Sequence, residues 1–216
     1  NPYISIFTPT YNTGNKLNET YQYIANQTHK NWEWIIVDDG STDDTLNIAK
    51  NISNNDLRVK VFAFDHFGRI GYLKKAAACL CSGEYLVELD HDDILTEDCL
   101  EEIIKTFKEN PDVGMVYSNC AEWMQQADEN NQPIPWEKST NDAWNMYGAD
   151  YWMYKDTEWN GKLCKEALQW DVNGYYSFYG NDGQKITLPV ILSMPICPNH
   201  VRAFRSSEYH RIGCHR

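Results

Sequence analysis

The sequence predicts an α/β fold with a mostly parallel central sheet flanked by helices. Apolar, β-rich runs alternate with amphipathic stretches up to about residue 120. Turn-forming residues separate these runs, and carboxylates gather where several of the runs end. Strands and helices that alternate at this spacing are typical of a parallel sheet covered on both faces. The length of 216 residues suits one domain of this class.

The predicted elements follow one another in regular order. Strands are predicted at Tyr3–Phe7, Trp32–Val37, Val59–Phe64, Tyr85–Leu89 and Val113–Tyr117. Helices are predicted at about Leu17–Ala25, Thr45–Ile52, Ile70–Leu80 and Leu100–Phe107. Ser41 is predicted to cap the second helix, and Asp44, three residues later, to close a capping box. Pro111 ends the fourth helix because proline cannot continue it.

The regular alternation stops after about residue 120. Residues 122–180 contain six tryptophans and six tyrosines among Asn, Asp, Gln and Gly. This segment is too polar for a plain core and too aromatic for a disordered linker. It suits either a loop-rich lobe that packs its rings on the sheet, or a platform whose flat rings bury the C–H faces of a sugar.

The charge and the cysteines limit the class of protein. A formal net charge of −12 argues against a general nucleic-acid-binding protein, because phosphate-tracking surfaces need clustered Lys and Arg. Four of the six arginines lie near the C-terminus, where they suit either an anionic ligand or a balance of the acidic field: Arg202, Arg205, Arg211 and Arg216. Seven cysteines without a Cys-x-x-Cys pair favour reduced thiols.

No leader segment is visible, and no apolar run approaches the roughly 18 residues of a membrane helix. We therefore expect a cytoplasmic protein without a membrane segment.

Residues 90–93, Asp-His-Asp-Asp, place three carboxylates at the end of a predicted buried strand. Open α/β sheets bind their ligands at the edge formed by the C-terminal ends of the strands. Crowded carboxylates repel one another unless a cation lies between them, and Mg²⁺ or Mn²⁺ prefers oxygen ligands. The alternative is a solvated turn before a helix that begins near Thr96, which accounts for residues 96–98 but not for residues 90–93.

Three further loops follow predicted strands. Their sequences are Thr8-Pro9-Thr10-Tyr11-Asn12, Asp38-Asp39-Gly40-Ser41 and His66-Phe67-Gly68-Arg69. In a parallel sheet these loops share one edge with residues 90–93, so we expect a single crevice. Such a crevice suits transfer from a nucleotide-diphosphate donor, whose departure a divalent ion stabilises as a Lewis acid.

The side chains of this crevice suit separate parts of such a donor. Tyr11 can stack on a base and Asp39 can accept a base N–H, while Asp90 can hold a ribose hydroxyl and Asp92 a metal ion. Arg69 or the C-terminal arginines can add positive charge. Each residue also has a purely structural alternative, such as a turn acid, a core ring or a surface cation.

Three motifs together resemble the nucleotide-binding half of family 2 glycosyltransferases, which have the Rossmann-like GT-A fold. They are Thr-Pro-Thr-Tyr-Asn, Val-Asp-Asp-Gly-Ser-Thr-Asp and Asp-His-Asp-Asp, within residues 3–120. The resemblance implies a nucleotide-sugar donor, usually a UDP-sugar, and Mn²⁺ or Mg²⁺ bound through an Asp-x-Asp motif. It places Tyr11 and Asp39 at the base, Asp90 at the ribose or metal, and Asp92 at the metal.

The resemblance also implies a division into a nucleotide-sugar-binding half, residues 1–120, and an aromatic-rich acceptor-binding half, residues 121–216. Thr8, Pro9 and Arg69 are expected at the donor, with Arg69 the weaker match. His200 is a further candidate for a metal or diphosphate contact.

The position of the catalytic base in this family has no match here. Relatives carry an acidic motif after a Gly-Gly turn, whereas this sequence has Gly213-Cys214-His215-Arg216 and then stops. We therefore expect a module of a longer polypeptide, with further domains after residue 216, or a base from elsewhere. The candidates for that base are Asp182, Asp156 and Glu158.

The leading interpretation is a metal-dependent enzyme that moves a sugar from a UDP-sugar to a glycan or glycoprotein acceptor. The pattern is also similar to glycosyltransferase domains of large algal viruses that modify their own capsid proteins, which would place the chain in the host cytoplasm. The alternative is a non-catalytic module that binds nucleotide-sugars or glycans. A phosphoryl-transfer enzyme is disfavoured because no Gly-rich phosphate loop with Lys is present.

Overall fold

The structure is a computed structural model that describes residues 3–117, 120–123, 152–159, 162–169 and 201–211. The strands are β1 Ile4–Thr10, β2 Trp32–Asp38, β3 Val59–Ala63, β4 Tyr85–Glu88, β5 Met115–Tyr117, β6 Cys120–Trp123, β7 Trp152–Trp159, β8 Lys162–Gln169 and β9 Arg202–Arg205. The helices are α1 Lys16–Ala25, α2 Thr45–Asn55, α3 Ile70–Cys79, α4 Cys99–Glu109 and α5 Ser206–Arg211. The predicted alternation of strands and helices is confirmed.

The main sheet has six strands in the order β3-β2-β1-β4-β9-β5. Strands β3, β2, β1 and β4 are parallel, and β9 runs antiparallel to β4. Every residue of β1 and β2 is buried, as expected of strands with covered faces in a parallel sheet. The predicted fold class, a mostly parallel sheet flanked by helices, is therefore confirmed.

Strand β1 extends to Thr10, three residues beyond its predicted end at Phe7. Its pairing with β4 ends where Phe7 lies opposite Glu88, while its pairing with β2 continues to Thr10. Pro9 therefore lies beyond the last β1–β4 pair, which allows a proline in a strand that is otherwise central.

One face of the sheet carries a compact apolar core. Helices α3 and α5 supply side chains that pack with those of β1, β2 and β4 in one cluster: Phe7, Ile35, Val37, Leu73, Ala77, Ala78, Leu86 and Tyr209. This packing fixes α3 against the strands whose C-terminal ends carry the predicted site.

Two compact units divide the chain. The first contains residues 1–116 and 201–216, and the second contains residues 117–200. In the second unit β6, β8 and β7 form an antiparallel sheet in that order, within the aromatic-rich region. The C-terminal segment returns to the first unit, because β9 pairs with β4.

Arg205 ties this returning segment to helix α4. Its guanidinium donates to the carbonyl oxygens of Val113 at 2.7 Å and Phe107 at 2.7 Å, and lies over the Phe107 ring. The carbonyls at the end of a helix lack partners within it, so a cation there is stabilising. Arg205 therefore has a structural role. Arg211 forms an ion pair with Glu208 at 2.7 Å.

A buried carboxylate lies in strand β2. The Glu33 side chain is fully buried and accepts hydrogen bonds from the hydroxyls of Ser5 and Ser82 and from the ammonium of Lys60. Burial alone would raise the pKa of Glu33, but the bonds from Lys60, Ser5 and Ser82 outweigh it and lower that pKa to about 2.

We expect Glu33→Gln to lower the free energy of unfolding at pH 7 by up to about 3 kcal/mol, since each pKa unit corresponds to about 1.4 kcal/mol. The folded pKa lies below the unfolded one, so this contribution is complete above about pH 4.5 and is lost as the pH falls towards 2. Urea titrations between pH 7 and pH 3 measure it. Glu19→Gln, at an exposed carboxylate of α1, is the control and should change little. Equal pH dependence in the two variants would contradict the assignment.

Candidate functional site

The loops that follow β1, β2, β3 and β4 all begin at one edge of the sheet, because these four strands are neighbours and parallel. Backbone bonds extend the ladder into the loops. The Asp39 N–H donates to the Thr10 carbonyl at 2.9 Å, and the Leu89 N–H donates to the Phe7 carbonyl at 3.2 Å. The segments that sequence analysis assigned to one crevice therefore start side by side.

The loops after β1 and β2 are joined by hydrogen bonds through Asn12. Its side-chain oxygen accepts from the Thr42 N–H at 2.8 Å, and its own N–H donates to the Ser41 hydroxyl at 3.0 Å. Asn12 has a φ of 49°, a left-handed conformation that asparagine tolerates better than most residues. The two loops are therefore held in place before any ligand binds.

Ser41 does not cap helix α2, so that prediction is wrong. Its N–H and its hydroxyl both donate to the carboxylate of Asp38, which is buried at the end of β2 and needs donors. Asp44 precedes α2, and its side chain makes no capping bond within the described part of the chain. Asp43 instead accepts from the Thr45 N–H at 3.0 Å.

The carboxylate of Asp39 anchors the loop between β3 and α3. One oxygen accepts from the Phe67 N–H at 2.8 Å and the other from the Gly68 N–H at 3.0 Å, and the side chain is only 3% exposed. The backbone of His66 passes close to Gly40. Only glycine fits here, because a Cβ at position 40 would lie 2.7 Å from the backbone nitrogen of His66. A contact between Asp39 and a base stays a prediction.

Tyr11 lies against this anchored loop. Its ring stacks on the imidazole of His66 with 4.4 Å between the centroids, and Tyr11 is 41% exposed. The imidazole nitrogen Nδ1 lies 2.9 Å from the Asp39 carbonyl oxygen and 3.0 Å from its carboxylate. The structure therefore brings Tyr11, Asp39 and His66 together. Sequence analysis placed His66 only in a loop, although its position directly after a strand was the available signal.

The remaining donor candidates of the first unit occupy different environments. Thr8 and Pro9 are buried within β1, where the Thr8 hydroxyl accepts from the Trp34 indole N–H at 2.8 Å. Arg69 is exposed at the residue before α3, with its guanidinium 5.7 Å from the Phe67 ring centroid. Roles at the nucleotide stay predictions for all three.

Helix α1 holds the acidic loop that follows β4. The Thr20 hydroxyl lies 3.2 Å from the His91 carbonyl and 3.1 Å from the Asp93 carbonyl, and can donate to either. Gln27, fully buried just after α1, donates to the Thr96 carbonyl at 2.6 Å and accepts from the Leu100 N–H. Neither residue was among the predicted site residues. Their signal was two polar side chains on the buried stripe of α1 and its extension: Leu17, Thr20, Ile24 and Gln27.

The two proposed metal ligands, Asp90 and Asp92, differ in exposure and in their neighbours. The Asp92 side chain is 46% exposed and lies 3.9 Å from the nearest nitrogen of His91. The Asp90 side chain is 29% exposed and forms an ion pair with Lys74 at 2.9 Å.

Both side chains offer carboxylate oxygens, the ligand type that Mg²⁺ and Mn²⁺ prefer. Within the described residues, no group of three or more His, Cys, Asp and Glu side chains is arranged to hold a metal ion. Mg²⁺ is commonly held by one or two carboxylates together with substrate phosphates, so a site of two carboxylates suits an ion that arrives with a diphosphate.

A buried ion network lies beside the acidic loop. Glu88 is fully buried at the end of β4 and accepts from the ammonium of Lys74 at 2.7 Å and from the guanidinium of Arg202. Burial opposes the charge on Lys74, but the neighbouring carboxylates of Glu88 and Asp90 outweigh it and raise the pKa of Lys74. Sequence analysis missed Lys74, whose signal was a cation on the apolar helix α3.

The remaining candidates are not described at the level of side chains. Asp182 and His200 lie outside the described residues. Asp156 and Glu158 lie in β7, where the backbone pairs Asp156 with Lys165 of β8. The catalytic base therefore stays a prediction.

No helix in the described ranges is long and apolar enough to cross a membrane.

Comparison with known proteins supports the resemblance inferred from the motifs. The model of glycosyl transferase family 2 matches residues 5–156. The chain is 36% identical over 116 residues to glycosyltransferase GlyG of Streptococcus pneumoniae serotype 4, covering 54% of this chain and 38% of GlyG. It is also 36% identical over 117 residues to a chondroitin synthase of Escherichia coli, covering 54% of this chain and 17% of the synthase. The chain thus spans less than half the length of these curated relatives.

Two solved structures are similar to this chain in fold. S. aureus TarS 1–349 in complex with UDP matches with a TM-score of 0.56 and 18% identity, covering 97% of this chain and 48% of that one. TarS 1–349 without a named ligand gives the same TM-score at 17% identity, with coverage of 97% and 49%. The predicted GT-A fold is therefore confirmed.

Proposed function

Since the chain belongs to glycosyl transferase family 2, we propose that it transfers a sugar from a UDP-sugar donor to a glycan or protein-linked acceptor, assisted by Mn²⁺ or Mg²⁺. One observation carries this proposal. The stacked Tyr11 and His66, the anchored Asp39 and the acidic loop with Asp90 and Asp92 follow neighbouring parallel strands at one sheet edge.

The aromatic end of the crevice suits the nucleobase. The exposed ring of Tyr11 offers an apolar surface for stacking, and its stack with His66 holds it in place. Asp39 orders the loop that carries His66, so it supports base binding even where it does not touch the base. The UDP in the TarS complex makes UDP the first nucleotide to test.

The acidic end suits the diphosphate and a divalent ion. Asp92 and Asp90 would hold the ion, and Thr20 keeps the backbone of their loop in place. When bound, such an ion supplies Lewis-acid stabilisation of the negative charge on a departing nucleoside diphosphate. Asp90 would also accept a hydrogen bond from a ribose hydroxyl, which its partly exposed side chain allows.

The acceptor class follows from the resemblance, whereas the catalytic base is proposed from acidic residues of the aromatic-rich region. Asp156 or Asp182 would take the proton of the acceptor hydroxyl, and His200 would contact the metal or the diphosphate. The acceptor is a glycan or a glycoprotein, with a viral capsid protein as the special case. We further propose a cytoplasmic location.

We expect UDP to protect the protein against heat only when Mn²⁺ or Mg²⁺ is present. A ligand that binds only the folded state stabilises it by about 2.7 kcal/mol at a concentration of 100 times Kd, and the ion completes the diphosphate site. Thermal melts with UDP, with Mn²⁺, with both, and with UDP plus EDTA measure this effect. Failure of UDP to shift the melting temperature with or without metal would refute the donor assignment.

Release of UDP from a panel of UDP-hexoses then separates an enzyme from a binding module. We expect a transferase to release UDP over multiple turnovers in the presence of Mn²⁺, either by transfer to an acceptor or by slow hydrolysis of the donor. Saturable binding without release would overturn the enzymatic proposal and leave a nucleotide-sugar-binding module.

A further inference from the structure

Lys74 lies between two carboxylates of different kinds. Its ammonium is 2.7 Å from Oε1 of the fully buried Glu88 and 2.9 Å from Oδ1 of the partly exposed Asp90. The lysine side chain itself is only 11% exposed, so its charge is largely removed from solvent. A cation inside the protein therefore already contacts one of the two carboxylates that the proposed function assigns to the divalent ion.

Lys74 is not the sole cation that contacts Glu88. Arg202, on strand β9, donates to the same Oε1 atom of Glu88, so this buried carboxylate has two cationic partners. One of the two, Lys74, also reaches Asp90. Among the described residues, these contacts join two cations to two carboxylates, and they extend from the buried Glu88 to the partly exposed Asp90.

This arrangement has opposite effects on the two ligands of the site. A divalent ion that approaches Asp90 meets a fixed positive charge and competes with the ammonium for a carboxylate oxygen. A diphosphate that approaches the same place meets less negative charge than the acidic loop alone would present. Both effects are strong near a poorly solvated ammonium, because screening by water is weak there.

We propose that Lys74 is a built-in counter-cation of the acidic loop, which weakens binding of the divalent ion alone and strengthens binding of the nucleotide diphosphate. As a consequence the ion and the nucleotide bind best together. Lys74 acts through Asp90 and is a positioning residue. This inference rests on the proposed donor and metal site.

The test compares Lys74→Met with the wild-type chain in two binding measurements. The first is the Kd for Mn²⁺ without nucleotide, from the free Mn²⁺ signal in electron paramagnetic resonance. The second is the Kd for UDP at saturating Mn²⁺, from calorimetry. We expect the Mn²⁺ Kd to fall by at least about fivefold and the UDP Kd to rise by at least about fivefold, because a nearby unit charge is removed.

The opposite signs distinguish this role from a structural one, since a damaged site would bind both ligands more weakly. Lys74→Arg keeps the charge and should leave both constants within about twofold of wild type, since the proposed effect is the Coulomb repulsion of Mn²⁺ and attraction of the diphosphate. Lys75→Met removes the neighbouring exposed lysine of α3 and should change neither constant. If Lys74→Met fails to fold, Lys74→Gln keeps a polar group and should show the same pair of opposite shifts.

Two results overturn the proposal. Either both constants rise together in a Lys74 variant that melts like the wild type, or neither constant changes. A wild-type chain that binds neither Mn²⁺ nor UDP instead refutes the proposed donor site, and the inference about Lys74 falls with it.

Discussion

Replacing Asp92 by Ala is expected to reduce metal-stimulated release of UDP from a UDP-hexose by about a hundredfold or more, the usual cost of losing a group that stabilises developing charge. Asp92 is the more exposed of the two proposed metal ligands, and its carboxylate lies 3.9 Å from His91. Because an exposed side chain contributes little to stability, the melting temperature should stay close to that of the wild type. Initial rates over a Mn²⁺ titration, with parallel thermal melts, measure both effects.

Glu97→Ala is the matched control for Asp92→Ala. Glu97 is an exposed carboxylate of the same loop, so its removal changes the net charge equally without touching residues 90–93. We expect this variant to keep the wild-type response to Mn²⁺. Wild-type rates in Asp92→Ala, or rates that are the same in EDTA and in Mn²⁺, would rule out the metal mechanism while leaving the family and the fold in place.

The first unit was predictable because its strands are short apolar runs bounded by strong turn signals. Even Glu33, a charged residue inside β2, did not disturb the prediction, because Trp32 and Trp34 continue the pattern on both sides. Strand β9 was harder. Its four residues begin and end with arginine, and these two partly buried arginines find partners in Glu88 and the end of α4, which come from distant parts of the sequence. Local pattern cannot show such partners.

Part of the candidate site was predictable for the same reason. Tyr11, Asp39, Asp90 and Asp92 directly follow strands, and the C-terminal edge of a parallel sheet is where ligands bind. What the sequence did not indicate is what each side chain contacts. Asp38 and Asp39 are adjacent acids, yet the first binds Ser41 and the second binds a loop 28 residues away.

Residues that support the site from neighbouring helices were missed for a different reason. Lys74 lies on a helix that otherwise packs alanines and leucine against the sheet, and Thr20 lies on the buried stripe of α1. A polar residue on an apolar face indicates that a partner exists, but the partner is set by how the helix packs. Only the packed structure identifies Asp90 as a partner of Lys74 and the backbone of the acidic loop as the partner of Thr20.

Replacing Asp39 by Ala is expected to weaken UDP binding at saturating Mn²⁺ by about a hundredfold. The change removes the hydrogen bonds from the N–H groups of Phe67 and Gly68 to this carboxylate, and a hydrogen bond to a charged group contributes about 1.5–3 kcal/mol. The loop that carries His66 then loses its anchor, and the stack that supports Tyr11 is lost with it. Calorimetry with UDP, performed well below the melting temperature, measures the effect.

Two further variants separate the anchor from the charge. Asp39→Asn keeps the shape and one acceptor oxygen but replaces the other by an N–H₂ donor, so we expect a loss of affinity between those of wild type and Asp39→Ala. Asp65→Ala removes an exposed carboxylate one residue before His66 and should bind UDP normally. Because the anchored loop and Tyr11 form one stacked unit, UDP binding by Asp39→Ala at wild-type strength would show that the nucleotide does not bind at this end of the crevice.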